Sequence, residues 1–253
     1  DGEKQQLHIT ELPPLPMPLD NLSATYADGC LYVAGGKGKP QTVPIGQDGS
    51  QTAPTNPLFS LQLTPSLQKE WVRLPDFPGP ARIQPVLTAQ QSEDGIRLYL
   101  AGGFQPASAH QEAIVCTDML SYHPKTKQWR NEGFLPSLAG GSHRTVTGGC
   151  AIASGDSSIL LVGGVNYDRF RDALNHPEPD YLLHPVDWYK FNTSLLQYNT
   201  FTKHWTHLGN YEELARAGAG IANNANTVII IGGELKPGIR TPEVNAFKLT
   251  CHP

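Results

Sequence analysis

The sequence predicts an all-β protein assembled from four like units. Three observations predict it. A short apolar run ended by a Gly pair occurs four times, with the pairs opening at Gly35, Gly102, Gly163 and Gly232, 67, 61 and 69 residues apart. Gly (25) and Pro (22) are frequent among the 253 residues, which suits short strands joined by tight turns. Charged residues make up only 17% of the chain and the net charge is −4, with no long run of one sign. That balance gives no reason to expect nucleic acid or an anionic membrane as partner. No apolar stretch approaches the roughly 18 residues of a spanning helix, and no signal peptide is visible within the chain.

The units follow in order. Each begins with a polar turn and an apolar strand: Asp28 to Gly36, Asp94 to Gly103, Asp156 to Gly164 and Asn226 to Gly233. After each Gly pair come a loop and a second strand, at residues 57–63, 118–122, 194–198 and 244–249. The alternation Phe59/Leu61/Leu63 marks a strand with two distinct faces. Three of these strands lead into a tryptophan: Trp71, Trp129 and Trp205. The repeat units are 7–63, 70–123, 128–199 and 204–249, within a single domain 1–253 or most of one. The cysteines, Cys30, Cys116, Cys150 and Cys251, lie far apart and form no CxxC, so they read as buried small apolar residues. One disulfide is the alternative.

Repeats of this kind resemble the kelch repeat over the whole chain. The resemblance implies a β-propeller whose blades are four-stranded antiparallel meanders. The Gly pairs would allow close backbone approach between blades, and the tryptophans on the outer strands would fill the wedges between them. With strands lettered a to d from the axis outward, the chain starts in a d strand around Gln6 to Glu11 and ends in a c strand around Asn245 to Leu249. A closed ring of four would need residues 7–10 to complete the blade of Val244.

In such a meander the b–c and d–a connections emerge on one face. The b–c loops are long (37–56, 104–115, 165–192 and 234–241), and the d–a loops carry Asp20, Arg82, His143, Arg144 and Arg216. Long loops on a rigid scaffold are where sites usually lie. Glu234, Lys236 and Arg240 follow the last Gly pair at once, in a loop stiffened by Pro237 and loosened by Gly238. Asn166 stands just after the third pair, and Arg82 and Arg144 precede inner strands. Each has a plainer reading: a salt bridge between loops for the arginines, a loop-stabilising ion pair for Glu234 and Arg240, and a turn residue bonding its own backbone for Asn166. The insertion 165–192 carries Tyr167, Phe170, Tyr181, Trp188, Tyr189 and Phe191, too apolar for a free linker, and is expected to fold over the loop face. HExxH, GxSxG, phosphate-binding and EF-hand motifs are absent from the sequence, as is the sialidase-type Asp-box. His204 and His207, three apart on a strand, point to opposite sides and make a poor metal pair.

Three segments narrow the resemblance: 232–241 (GGELKPGIRT), 163–166 (GGVN) with 187–191 (DWYKF) after the insertion, and 77–84 (FPGPARIQ). Together they look like the N-acetylneuraminate epimerase (sialic acid mutarotase) family, in particular its cyclically permuted branch. That resemblance implies six blades, a periplasmic or secreted location, no cofactor and no metal. It also implies a functional Glu–Arg pair, matched here by Glu234 and Arg240, with Arg82, Asn166, Arg144 and Lys236 as candidate substrate-binding residues. The expected partner is a sialic acid. About two blades would have to come from a further propeller segment or a second chain, and the chain is expected to be part of a larger propeller. The function implied is interconversion of the α and β anomers of the sugar. The alternatives are a non-catalytic kelch module that grips a glycan or protein, and a hydrolase, for which the sequence offers no paired carboxylates at recognisable spacing.

Overall fold

The computed structural model describes residues 9–38, 56–138, 140–224 and 226–249. Three sheets are four-stranded antiparallel meanders, each built from consecutive strands. Blade 1 comprises Ser23–Ala27, Cys30–Ala34, Leu58–Gln62 and Val72–Leu74. Blade 2 comprises Val86–Ser92, Gly95–Ala101, Asp118–His123 and Gln128–Phe134. Blade 3 comprises Cys150–Ser154, Ser158–Val162, Ser194–Asn199 and His204–Asn210. Blade 4 has three strands among the described residues, Gly220–Asn224, Thr227–Ile231 and Val244–Lys248. The outer strand expected from Gln6 to Glu11 lies partly outside the described residues, and Ile9 to Glu11 form no strand. The inner strands of blades 1 to 4 pack side by side in chain order.

Three apolar clusters fill the spaces between blades. Leu58, Leu98, Leu100 and Tyr122 join blades 1 and 2. Tyr99, Leu161, Leu196 and Tyr198 join blades 2 and 3, and Leu160, Leu195, Val228 and Ile230 join blades 3 and 4. Both faces of a middle blade are therefore buried, so the adjacent residues Tyr99 and Leu100 of blade 2 are both shielded. The tryptophans lie in the wedges as anticipated. Trp129 packs against Tyr122 of its own blade and Phe77 beside blade 1, and its indole N–H donates to Pro75 O at 2.9 Å. Trp71 repeats the latch on Pro13 O, also at 2.9 Å, so in both cases a Leu-Pro from the preceding segment is fastened by a tryptophan.

The Gly pairs are needed for their backbone. Gly163 has φ +66° and lies so close to the d–a loop of blade 4 that a Cβ would stand 2.6 Å from Arg216 O. Gly102 makes the same approach to Val146 and Thr147 of blade 3. A side chain at either place would meet backbone atoms in a conformation L residues avoid.

Cys30, Cys116 and Cys150 are free thiols, while Cys251 lies outside the described residues. Burial pushes the Cys116 and Cys150 thiols up to about 11. At pH 8 the reactive thiolate is then about a thousandth of each, since nucleophilicity resides in the thiolate. Alkylation at pH 8 should leave both unmodified in the folded protein and modify both in urea. Rapid labelling of either in the folded state, followed by peptide mass analysis, would show that its environment is open.

Candidate functional site

The loop face is organised by a chain of peptide groups near the axis. Gln84 N–H donates to Asn21 O at 2.8 Å, Gly148 N–H to Gln84 O at 3.0 Å, and Gly218 N–H to Gly148 O at 2.7 Å. One residue comes from the d–a loop of each blade, and all four have positive φ: 53° at Asn21, 56° at Gln84, 69° at Gly148 and 62° at Gly218. Glutamine seldom takes this left-handed conformation, asparagine more readily, and such a residue tends to persist where its surroundings dictate it. The two carboxamides meet, with Gln84 Nε2 3.4 Å from Asn21 Oδ1.

The residue before each member of this chain pairs with the residue after a Gly pair. Asp20 opposes Lys37, Ile83 bridges Phe104, Val165 N–H donates to Thr147 O, and Ala217 bridges Glu234. Lys37, Phe104, Val165 and Glu234 are thus equivalent positions on successive blades. Only blade 4 puts a carboxylate there.

Glu234 opens a small hairpin, Glu234–Lys236 with Ile239–Arg240, in which Glu234 and Arg240 are directly opposed. Arg240 Nε lies 3.4 Å from Glu234 Oε1. The Glu234 side chain is one-third exposed and that of Arg240 is 81% exposed, so the pair is a solvent-facing contact rather than a buried bridge. Lys236 turns the other way. Its ammonium donates to Leu182 O at 3.1 Å and His184 O at 2.6 Å and stands over the Tyr189 ring.

Those carbonyls belong to the insertion. It forms the helix Tyr167–Asn175 and two single turns, Tyr181–Leu183 and Val186–Tyr189. Tyr189 and Phe191 are buried with Phe170, Tyr181 and Trp188 against Ala215 and Ala217, so the insertion folds onto the loop face next to the rim, as its aromatic content implied. Asn175 also bonds both backbone groups of Ala113 in the blade 2 loop. Replacing Lys236 by Met should speed amide exchange of residues 181–189 about tenfold, the equivalent of one charge-assisted hydrogen bond. Unaltered exchange there would mean that the aromatic cluster alone holds the insertion.

Most of the other candidates have partners within the fold, although Arg82 Nε is left without one among the described residues. Arg82 is fully buried, with Nη2 on both carboxylate oxygens of Asp118 at 2.8 Å and Nη1 on Gly102 O. Arg216 braces blade 4 in the same way, bonding Gly232 O, Glu243 and Asn245. Asn166 is the N-cap of the helix and accepts from Arg169 N at 3.0 Å. The Asn166-x-x-Arg169 interval ahead of an amphipathic run was the signal for that cap. Arg144 is buried with no partner on Nε or Nη1 among the described residues. Gln84 and Asn21, at the rim, had no place among the sequence candidates as a pair; neither composition nor period reveals a left-handed turn.

Among the described residues one trio, Glu178, Asp180 and His184, brings possible metal ligands within 4.8 Å of one another. Its two carboxylates are exposed on a turn of the insertion. A cleft of about 200 Å³ lined by Asp28, Tyr32, Gln91, His123 and Lys125 lies at the short a–b and c–d turns, on the face opposite Glu234.

The fold and its loop face define the class: a kelch-type β-propeller with its charged groups gathered where the long loops converge. The chain belongs to the N-acetylneuraminate epimerase family, whose model matches residues 12–252. It is 30% identical over 243 residues to the N-acetylneuraminate epimerase of Haemophilus influenzae (strain PittEE), covering 90% of this chain and 60% of that protein. The protein of that name from Pasteurella multocida (strain Pm70) is 27% identical over 215 residues, covering 79% and 52%. A solved structure described as "Structure of YjhT" superposes with TM-score 0.70 at 24% identity, over 94% of this chain and 67% of that one, which supports the fold. The chain thus spans little more than half the length of these curated relatives.

Proposed function

We propose that the protein is a mutarotase that interconverts the α and β anomers of N-acetylneuraminic acid, working as part of a larger propeller. The observation that carries this reading is the placement of Glu234 and Arg240. They are opposed on one hairpin, bridged to Ala217 at the rim, in a chain whose relatives bear the epimerase name. Mutarotation of a 2-keto sugar acid removes a proton from the anomeric hydroxyl and delivers one to the ring oxygen. The C–O bond opens, the ketone rotates, and the hydroxyl adds back to its other face. No net oxidation occurs, so one carboxyl group that accepts and then returns a proton suffices. Glu234 is the group that can do so, being partly exposed beside the rim. Arg240 Nε lies 3.4 Å from its carboxylate, so both groups can reach one bound molecule. The Gln84 carboxamide near Gly148 offers a neutral donor and acceptor for sugar hydroxyls.

A periplasmic or secreted location, a place in carbohydrate metabolism and further blades from another segment belong to the same proposal; they rest on the family likeness. The test is NMR of freshly released N-acetylneuraminic acid with the full-length protein. Anomer exchange should run faster than in buffer, and a reporter glycoside should remain uncleaved. Binding without acceleration would instead mark a non-catalytic glycan module.

A further inference from the structure

We propose that Arg144, rather than Arg240, is the anion-binding residue of the loop face, and that a ligand carboxylate completes it. This deepens the sugar-acid reading and rests on it. Arg144 is only 6% exposed, and its Nε and Nη1 are shielded from solvent with no hydrogen-bond partner among the described residues. Other buried arginines show what the fold does when the cation is purely structural. Arg82 has Asp118, Arg97 has Asp94 and Arg216 has Glu243. Among the described residues Arg144 has no such acid, whereas Arg82, whose Nε is also unpaired, keeps Asp118; burial depresses the Arg144 guanidinium pKa. A buried cation left uncompensated is costly and tends to be retained where a partner arrives from outside.

Its setting agrees. Arg144 lies in the d–a loop of blade 3, four residues before Gly148 of the rim, on the same face as Glu234. The flanking residues fix its backbone. The His143 ring packs on Tyr167 of the insertion, and Thr145 Oγ1 donates to Cys116 O. Asn192, at the far end of the insertion, donates to Thr145 O at 2.7 Å. Helix and blade 2 loop are also joined by the Phe104–Phe170 contact. The residues on either side of Arg144 are thus tied to the insertion and to the blade 2 loop. A planar fork of N–H donors pre-placed in a desolvated position suits a carboxylate better than the exposed Arg240 side chain, whose attraction water and salt screen.

The experiment measures affinity of the full-length protein for N-acetylneuraminate and for its neutral methyl ester. Wild type should prefer the acid at least tenfold. Arg144→Gln should lower acid affinity to that for the ester, while Arg240→Gln keeps the preference. Arg144→Lys, which keeps the charge but not the fork, covers a folding defect in the glutamine variant and should retain only part of the preference. An unchanged acid-to-ester ratio in the folded Arg144 variants overturns the proposal. If wild type binds neither compound, the sugar reading fails separately. The subsite is then judged by pyruvate, which should raise the melting temperature of wild type but not of Arg144→Gln; equal shifts overturn it.

Discussion

Glu234→Gln in the full-length protein is expected to lower the acceleration of anomer exchange by about 10²–10⁴-fold, the usual worth of a positioned acid–base group. Glutamine keeps the size of the side chain and can still accept from Arg240 Nε, but it cannot take up a proton. The backbone bridge between Glu234 and Ala217 does not depend on the side chain, so the hairpin should persist. Affinity for the sugar should change little and the melting temperature should stay within a degree or two. Line-shape or exchange NMR at several protein concentrations gives the rate directly. An unchanged rate would leave Glu234 and Arg240 as a loop-stabilising pair and move the chemistry to another blade.

The second large effect is on stability. Glu132, on the outer strand of blade 2, has a side chain only 2% exposed. It accepts from Arg130 Nε at 2.8 Å, from Tyr198 of blade 3 at 2.9 Å and from Ser121, which in turn accepts from Arg97. Burial alone would raise the carboxyl's pKa, but the hydrogen bonds from Ser121, Arg130 and Tyr198 outweigh it and hold the group below the usual carboxylate range. A depressed folded pKa contributes stability that is present above the unfolded value of about 4.3 and is lost as pH falls below it. Glu132→Gln should therefore cost about 3 kcal/mol near neutral pH. The gap to wild type should narrow between about pH 5 and 3, where wild type loses the same contribution. Urea melts across that range test both parts. A gap that does not vary with pH would mean that Glu132 acts by shape alone.

Much of the fold was legible because its signals are local. Each apolar run ended by a Gly pair became the second strand of a blade, the first three Gly pairs closing on the neighbouring blade, and Trp71 and Trp129 marked the outer strands through a single indole bond each. Glu234 and Arg240 were legible too, since charges that follow a strand end at once must emerge on the loop face. The arginines could not be sorted from sequence. Arg82 is neutralised by Asp118, 36 residues on, and Arg216 by Glu243, 27 residues on, while Arg144 meets no acid among the described residues, and nothing near any of the three in sequence announces which outcome applies. The left-handed turns at Asn21 and Gln84 were equally silent, because they are imposed by hydrogen bonds to adjoining blades rather than by residue type.

The run of peptide groups from Asn21 through Gln84 and Gly148 to Gly218 also behaves as a hub. Each of its bonds ties the d–a loop of one blade to that of the next. Four blades fastened near their common axis can rock only about that line, and positional error then grows with radius. Glu234, one strand pair away from Gly218, sits where the lever arm is shortest. Lys236 and the turns it holds lie further out, where the same rocking gives larger excursions. The scaffold thereby gives its smallest tolerance to the position proposed for proton transfer and a larger one to the insertion beside it.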